Sequence, residues 1–134
     1  MRRLLWADHF SAQYGLISIR DFGTTDNPVA ATGEEEVISS PGKTYVATRS
    51  DTDGDVRVEL WLGDPEPGHG REVLDAEMEF VSGIVSVADP VDPDSETVRL
   101  PRAGRWRTRV RVQGVPRPHT VSVFLREEDG GHSA

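Results

Sequence analysis

The sequence predicts an all-β protein, a two-sheet antiparallel β-sandwich of about eight strands. Three observations predict it. Residues 105–112 alternate without a fault: Trp106, Thr108, Val110 and Val112 on one side, Arg105, Arg107, Arg109 and Arg111 on the other. Successive strand side chains point to opposite faces, so this is a strand with one face on a core and one in water. The same period of two recurs in short runs separated by Gly/Pro-rich turns. No stretch carries the 3.6-residue period of an ordinary helix, which argues against a βαβ fold.

The elements follow in order. Residues 4–20 hold Leu4, Leu5, Trp6, Phe10, Tyr14, Leu16, Ile17 and Ile19, and predict one or two strands broken at Ser11-Ala12 or Gly15. Asp21 to Pro28 is loop by its density of turn residues. Residues 29–42 are read as irregular; Thr32-Gly33-Glu34-Glu35-Glu36 is at most a single helical turn, with acids favourably placed at its start. Tyr45 to Thr48 is a short strand. Ser50 to Asp55 is a turn, followed by Val56, Val58, Leu60 and Leu62 against Arg57, Glu59 and Trp61. Gly63 to Gly70 breaks the chain. Leu74, Ala76, Met78 and Phe80 then alternate with Asp75, Glu77 and Glu79, and Gly83 marks a turn or bulge before Ile84 to Val87. Asp89 to Asp94 is loop, Thr97 to Leu100 a strand, Gly114 to Pro118 a turn, and Val121, Val123 and Leu125 the last strand. Residues 1–126 read as one β-sandwich domain and 127–134 as a flexible tail.

Composition excludes several functions. The 134 residues suit one domain and a core without staples. There is no cysteine, hence no disulfide, thiolate metal site or cysteine nucleophile. With 23 acidic against 15 basic residues the net charge is −8. That disfavours nucleic acid and anionic membrane as partners, and favours encounter with a basic one. No apolar run is long enough for a signal peptide or a membrane helix, so the expectation is a cytoplasmic protein. Lys43 is the only lysine, and an arginine-dominated basic set hints at a GC-rich bacterial genome.

No stretch carries a catalytic signature. His9, His69, His119 and His132 lack metal-ligand spacing, and no Gly-x-Ser-x-Gly elbow or phosphate-cradling glycine loop occurs. The reading is therefore no enzyme, no cofactor and no metal. Asp51-Thr52-Asp53-Gly54-Asp55 invites a calcium site, but its glycine is misplaced for an EF-hand loop and a strand follows. A hairpin turn with glycine at positive φ is the favoured reading. A calcium site built with Asp89, Asp92 and Asp94 is the alternative. The arginine row is either a phosphate site or, as favoured, paired across strands with Glu77 and Glu79 or with Asp55 and Glu59. Alternation puts Trp61 and Phe124 on outer faces, as interface anchors, as sugar platforms, or packed under a loop.

Four stretches carry a resemblance: His9 to Gly15; Val46-Ala47-Thr48 with Asp53 to Leu60 and Asp64 to Pro67; Glu79 to Val87; and Val98 to Pro101 with Ala103 to Arg107. In this order they resemble the bacterial competence protein J family, regarded as inhibitors of a partner nuclease. The resemblance implies a protein-binding inhibitor and assigns no residue a role. It agrees with the charge. An acidic domain without a catalytic constellation suits an inhibitor or immunity-type protein that blocks a basic partner enzyme such as a nuclease. The partner-binding candidates are Glu34, Glu35, Glu36, Asp51, Asp53 and Asp55, with Trp61 as an aromatic anchor. The alternative function is a calcium- or carbohydrate-binding β-sandwich module.

Overall fold

A computed structural model of the chain describes residues 2–29, 34–88 and 96–128. Ten strands are formed among them: β1 (Arg3–Phe10), β2 (Leu16–Asp21), β3 (Val37–Ser40), β4 (Lys43–Ala47), β5 (Val56–Leu62), β6 (Arg71–Phe80), β7 (Ile84–Ala88), β8 (Glu96–Arg99), β9 (Gly104–Gln113) and β10 (Thr120–Glu127). One sheet, sheet A, has the order β1-β5-β10-β9-β6; the other, sheet B, has the order β3-β4-β2-β7-β8. The sandwich expected from the alternation is thus formed, with two strands more than expected.

The inner faces supply the core. Val56, Val58 and Leu60 of β5, Val121, Val123 and Leu125 of β10, and Trp106, Val110 and Val112 of β9 meet Ile17 and Ile19 of β2, Val46 of β4, and Val85 and Val87 of β7. All are removed from water, and fully burying one such aliphatic side chain contributes roughly 1.5–3 kcal/mol. Thr44 and Thr108 are polar residues buried between the sheets; the Thr44 hydroxyl is bonded to Ser39 and Met78, and the Thr108 hydroxyl donates to the Trp106 carbonyl.

Four details differ from the expectation. Residues 37–40 form β3 by pairing with β4, although Val-Ile-Ser-Ser is too short for its period to be read. The Asp51–Asp53 segment is a 3-10 turn, and it joins β4 of sheet B to β5 of sheet A, so it is not a hairpin. Gly54 does take the positive φ, at 120°. β5 and β10 pair in parallel, inside otherwise antiparallel sheets. Finally, β5 and β6 run in the same direction in sheet A with two strands between them, so residues 63–70 must cross the outer face of that sheet from one end to the other.

The expected tail begins at 127. Glu127 ends β10 and accepts a hydrogen bond from Arg102 Nε at 2.7 Å, and the Glu128 N–H reaches the Arg105 carbonyl at 3.3 Å. Residues 129–134, with His132, lie outside the described residues, as do Thr32 and Gly33 and the Asp89, Asp92 and Asp94 set considered for calcium.

Candidate functional site

The strand directions bring the loops 11–15, 48–55 and 114–119 to one end of the sandwich, and the backbone sews them together. Gly15, at φ 68°, closes a turn on the Ala12 carbonyl; a Cβ there would stand 3.0 Å from the Thr48 carbonyl oxygen. Thr48 N–H donates to Gly15, Arg49 N–H to Pro118, and Asp51 N–H to Ala12, all at 2.8–2.9 Å. A cleft of about 710 Å³ opens beside these loops, with walls from both sheets.

Acids gather at this end. Glu34, Glu35 and Glu36 line the cleft, with Arg71 and Arg117 as its cations. Glu36 and Arg71 join the edge strands β3 and β6 by a bridge of 2.6 Å. The hydrogen bond from Arg71 holds the Glu36 carboxyl below its ordinary range. Asp51, Asp53 and Asp55 lie exposed on the 3-10 turn and just past it, where Arg49 clamps the turn by donating to the Asp55 carbonyl. Six of the seven candidate residues therefore share one end. Trp61 does not: it stands at the far end of β5.

Two residues at this end escaped the sequence reading. Tyr14, on the cleft wall, is 73% exposed, and Val115, in the Gly114–Pro118 turn, is 94% exposed. An apolar side chain inside a run of turn residues has no strand to bury it. That was the signal available for Val115.

The outer face of sheet A holds two further groupings. The arginine row of β9 is fully paired, and its acids come from the neighbouring β6: Arg105 with Glu77 at 3.7 Å, Arg107 with Asp75 at 2.6 Å, and Arg109 and Arg111 with Glu72 at 2.8 and 3.1 Å. Glu79 makes no ion pair with the row. Asp55 and Glu59 cannot pair with it, because β10 separates their end of sheet A from β9. Glu59 instead accepts from Arg57 Nε, Trp61 Nε1 and Ser122 Oγ at 2.9, 3.0 and 2.8 Å. Burial raises its pKa, but these hydrogen bonds outweigh burial and hold the carboxyl below its ordinary value.

Trp61 stacks on Phe124 at 5.9 Å between centroids, and His69 from the crossover stands edge-on to both rings. Both aromatics thus lie under a loop. His69 Nε2 is 3.3 Å from Ser122 Oγ and 3.9 Å from Glu59. Serine, histidine and glutamate meet here, but not as a nucleophile would need: Ser122 is 1% exposed and its hydroxyl proton is given to Glu59. The grouping fastens the crossover to the sheet. Among the described residues, no three His, Asp or Glu side chains are grouped to hold a metal ion, and no helix is long and apolar enough to cross a membrane.

The class these features define is a five-on-five β-sandwich, laced across one outer face and open at one acidic end. Two solved structures share the fold over nearly the whole chain. One is ComJ of Bacillus subtilis, described as an inhibitor of the DNA degrading activity of NucA: TM-score 0.74, 12% identity, covering 96% of this chain and 99% of that one. The other is described as crocagin biosynthetic gene J: TM-score 0.65, 11% identity, with the same coverage. The likeness is one of fold, and it matches the family resemblance carried by the four sequence stretches. No family model and no curated protein matches the sequence.

Proposed function

We propose that this chain is an inhibitor or immunity-type protein that binds a basic partner enzyme, in its concrete form a nuclease, through the acidic end of the sandwich. The observation that carries the reading is the end-to-end fold likeness to ComJ, an inhibitor of a nuclease. Charge supports it: the chain carries −8, and the six candidate acids face solvent or the cleft at one end. A nuclease must hold a polyanion, so its binding surface is basic, and complementary charge speeds the encounter and fixes the register. Tyr14 and Val115 supply apolar anchors beside the acids, as an interface core needs. The role of such a protein is to occupy a surface, so no catalytic group of its own is required.

The test is affinity capture from host lysate at low and high salt, followed by titration of the captured enzyme's activity. One basic enzyme, held at low salt, weakened at high salt and inhibited stoichiometrically, is the expected result. Capture of an enzyme whose activity the protein leaves intact would overturn the inhibitor reading.

A further inference from the structure

The outer face of sheet B differs from that of sheet A in one respect that its charge makes conspicuous. A straight register row crosses all five strands: Ser40 on β3, Lys43 on β4, Arg20 on β2, Ser86 on β7 and Thr97 on β8. Arg99 stands one row on, opposite Ile84. Among the described residues Arg20, Lys43 and Arg99 enter no ion pair, in a chain where 23 acids face 15 bases. The four guanidiniums of β9 all found carboxylates; among the described residues these cations did not.

Two buried polar atoms in the row are also unmet. Among the described residues Arg20 Nε and Ser86 Oγ have no hydrogen-bond partner, and Ser86 is 0% exposed. They are the side chains of directly opposed residues on paired strands. Directly opposed side chains have Cβ atoms about 4.5–5.5 Å apart, so the two residues share one patch of the face. The other hydroxyls on this face are spoken for: Ser18 donates to the Ala88 carbonyl, Tyr45 to Asn27, and Ser40 to Asp26. Asp26, the carboxylate beside the row, is held by Ser40 and the Gly42 N–H, both at 2.8 Å, and pairs with none of the cations. A buried donor is normally satisfied, and a buried guanidinium nitrogen without an acceptor is costly enough to call for a missing one.

We propose that this face binds a phosphate group, free or as a small-molecule monoester. Arg20 Nε and Ser86 Oγ form the floor of the site, and Lys43, Thr97 and Arg99 stand around it. The donor set decides the chemistry. Two or three cations and two free hydroxyls match a tetrahedral dianion with several acceptor oxygens better than a carboxylate with two. Lys43 Nζ, now 4.8 Å over the Tyr45 ring, is a mobile point charge that can turn to the ligand. The proposal is independent of the partner reading, because the face lies away from the acidic end.

The experiment titrates inorganic phosphate, and separately phenyl phosphate, at fixed ionic strength, read by amide NMR shifts and melting temperature, with chloride as control. Saturable shifts at Arg20, Ser86 and Thr97, with a rise in melting temperature that chloride does not give, are expected. Arg20→Met should abolish both while raising the melting temperature in phosphate-free buffer, since it removes an unmet buried donor. Ser86→Ala, which alters no packing of consequence, should weaken binding at least threefold, and Arg107→Lys should leave it unchanged. Tighter binding of phenyl phosphate would mark an esterified ligand, and equal binding the free anion. Shifts that follow chloride equally, or a response that survives in both Arg20→Met and Ser86→Ala, would overturn the site.

Discussion

Arg107 and Asp75 meet on a diagonal. In register Arg107 stands opposite Glu77, yet its guanidinium forks onto the Asp75 carboxylate two residues along, at 2.9 and 2.6 Å. Arg105 makes the same step, from its opposite Glu79 to Glu77. A diagonal neighbour on the next strand is about 7–8 Å away, within reach of arginine. The bulge between Glu72 and Leu74 ends the stagger, so Glu72 serves both Arg109 and Arg111. The fork pulls the Asp75 carboxyl below its ordinary pKa range, chiefly by the hydrogen bond from Arg107.

That geometry predicts a modest, salt-sensitive contribution. Asp75→Asn should lower stability by about 0.5–1 kcal/mol, because both groups remain about one-third exposed and solvent screens them. Arg107→Lys should also lower stability, since lysine keeps the charge and loses the fork. Urea unfolding at low and high salt measures both, and the deficits should shrink at high salt. A lysine variant as stable as the parent at low salt would mean the fork itself contributes nothing.

Glu59 sets a pH dependence whose sign is fixed. Its folded pKa lies below the ordinary value of 4.5. A depressed carboxylate contributes stability that is fully present above the unfolded value and is lost as pH falls through the folded one. The melting temperature should therefore drop below about pH 4.5. Glu59→Gln should flatten part of that slope; Asp75, Asp26 and Glu36, also depressed, supply the rest. At pH 7 the same substitution should cost about 1–2 kcal/mol, the worth of charged hydrogen bonds exchanged for neutral ones. A parallel pH profile in parent and variant would remove Glu59 from the account.

What the sequence revealed was what period and turn chemistry encode. Residues 105–112 and 74–80 fall in β9 and β6 because seven or eight alternating positions outweigh any local ambiguity. Pairing of the arginine row was legible from charge, and Glu77 among its acids was named; Asp75 and Glu72 were not, since strand order and register are not written in the residues of either strand. Glu59 was matched to the row only because β10 could not be seen between them. The short β3 is made by its neighbour rather than by its own propensity. Trp61 was correctly read as outward, yet His69, which covers it, arrives on a loop whose path depends on the whole topology. The candidate acids converge at one end through backbone direction alone.

The crossover should prove a stabilising strap. Phe124→Ala removes a side chain 1% exposed between Trp61 and His69, and should cost about 3–5 kcal/mol. His69→Ala removes only the edge-on cover and should cost about 0.5–1.5 kcal/mol, with Trp61 fluorescence moving to the red as water reaches the ring. Gly70→Ala tests the landing point. Its φ is 76°, and a Cβ would stand 2.7 Å from the Val112 carbonyl oxygen, so a loss of about 1–2 kcal/mol or more is expected by chemical denaturation. An alanine at 70 without effect would show that the crossover approaches β9 less closely than described.

The acidic end makes the opposite prediction, large effects on binding with small ones on folding. Tyr14, Val115, Asp51 and Asp53 are exposed and take no part in the core. Substituting them singly by alanine or serine should change stability by less than about 0.5 kcal/mol. If this end meets the partner, Tyr14→Ala and Val115→Ser should each weaken inhibition about tenfold, the loss of roughly 1.4 kcal/mol expected of an anchoring side chain. Reversing Asp51 and Asp53 to lysine should act differently, slowing association and flattening its salt dependence while leaving dissociation nearly unchanged. Stopped-flow association at several salt concentrations separates the two classes. Should Trp61→Ala weaken binding while the Tyr14, Val115 and Asp51/Asp53 variants do not, the contact surface is the outer face of sheet A. The acids at the open end would then only shape the long-range field.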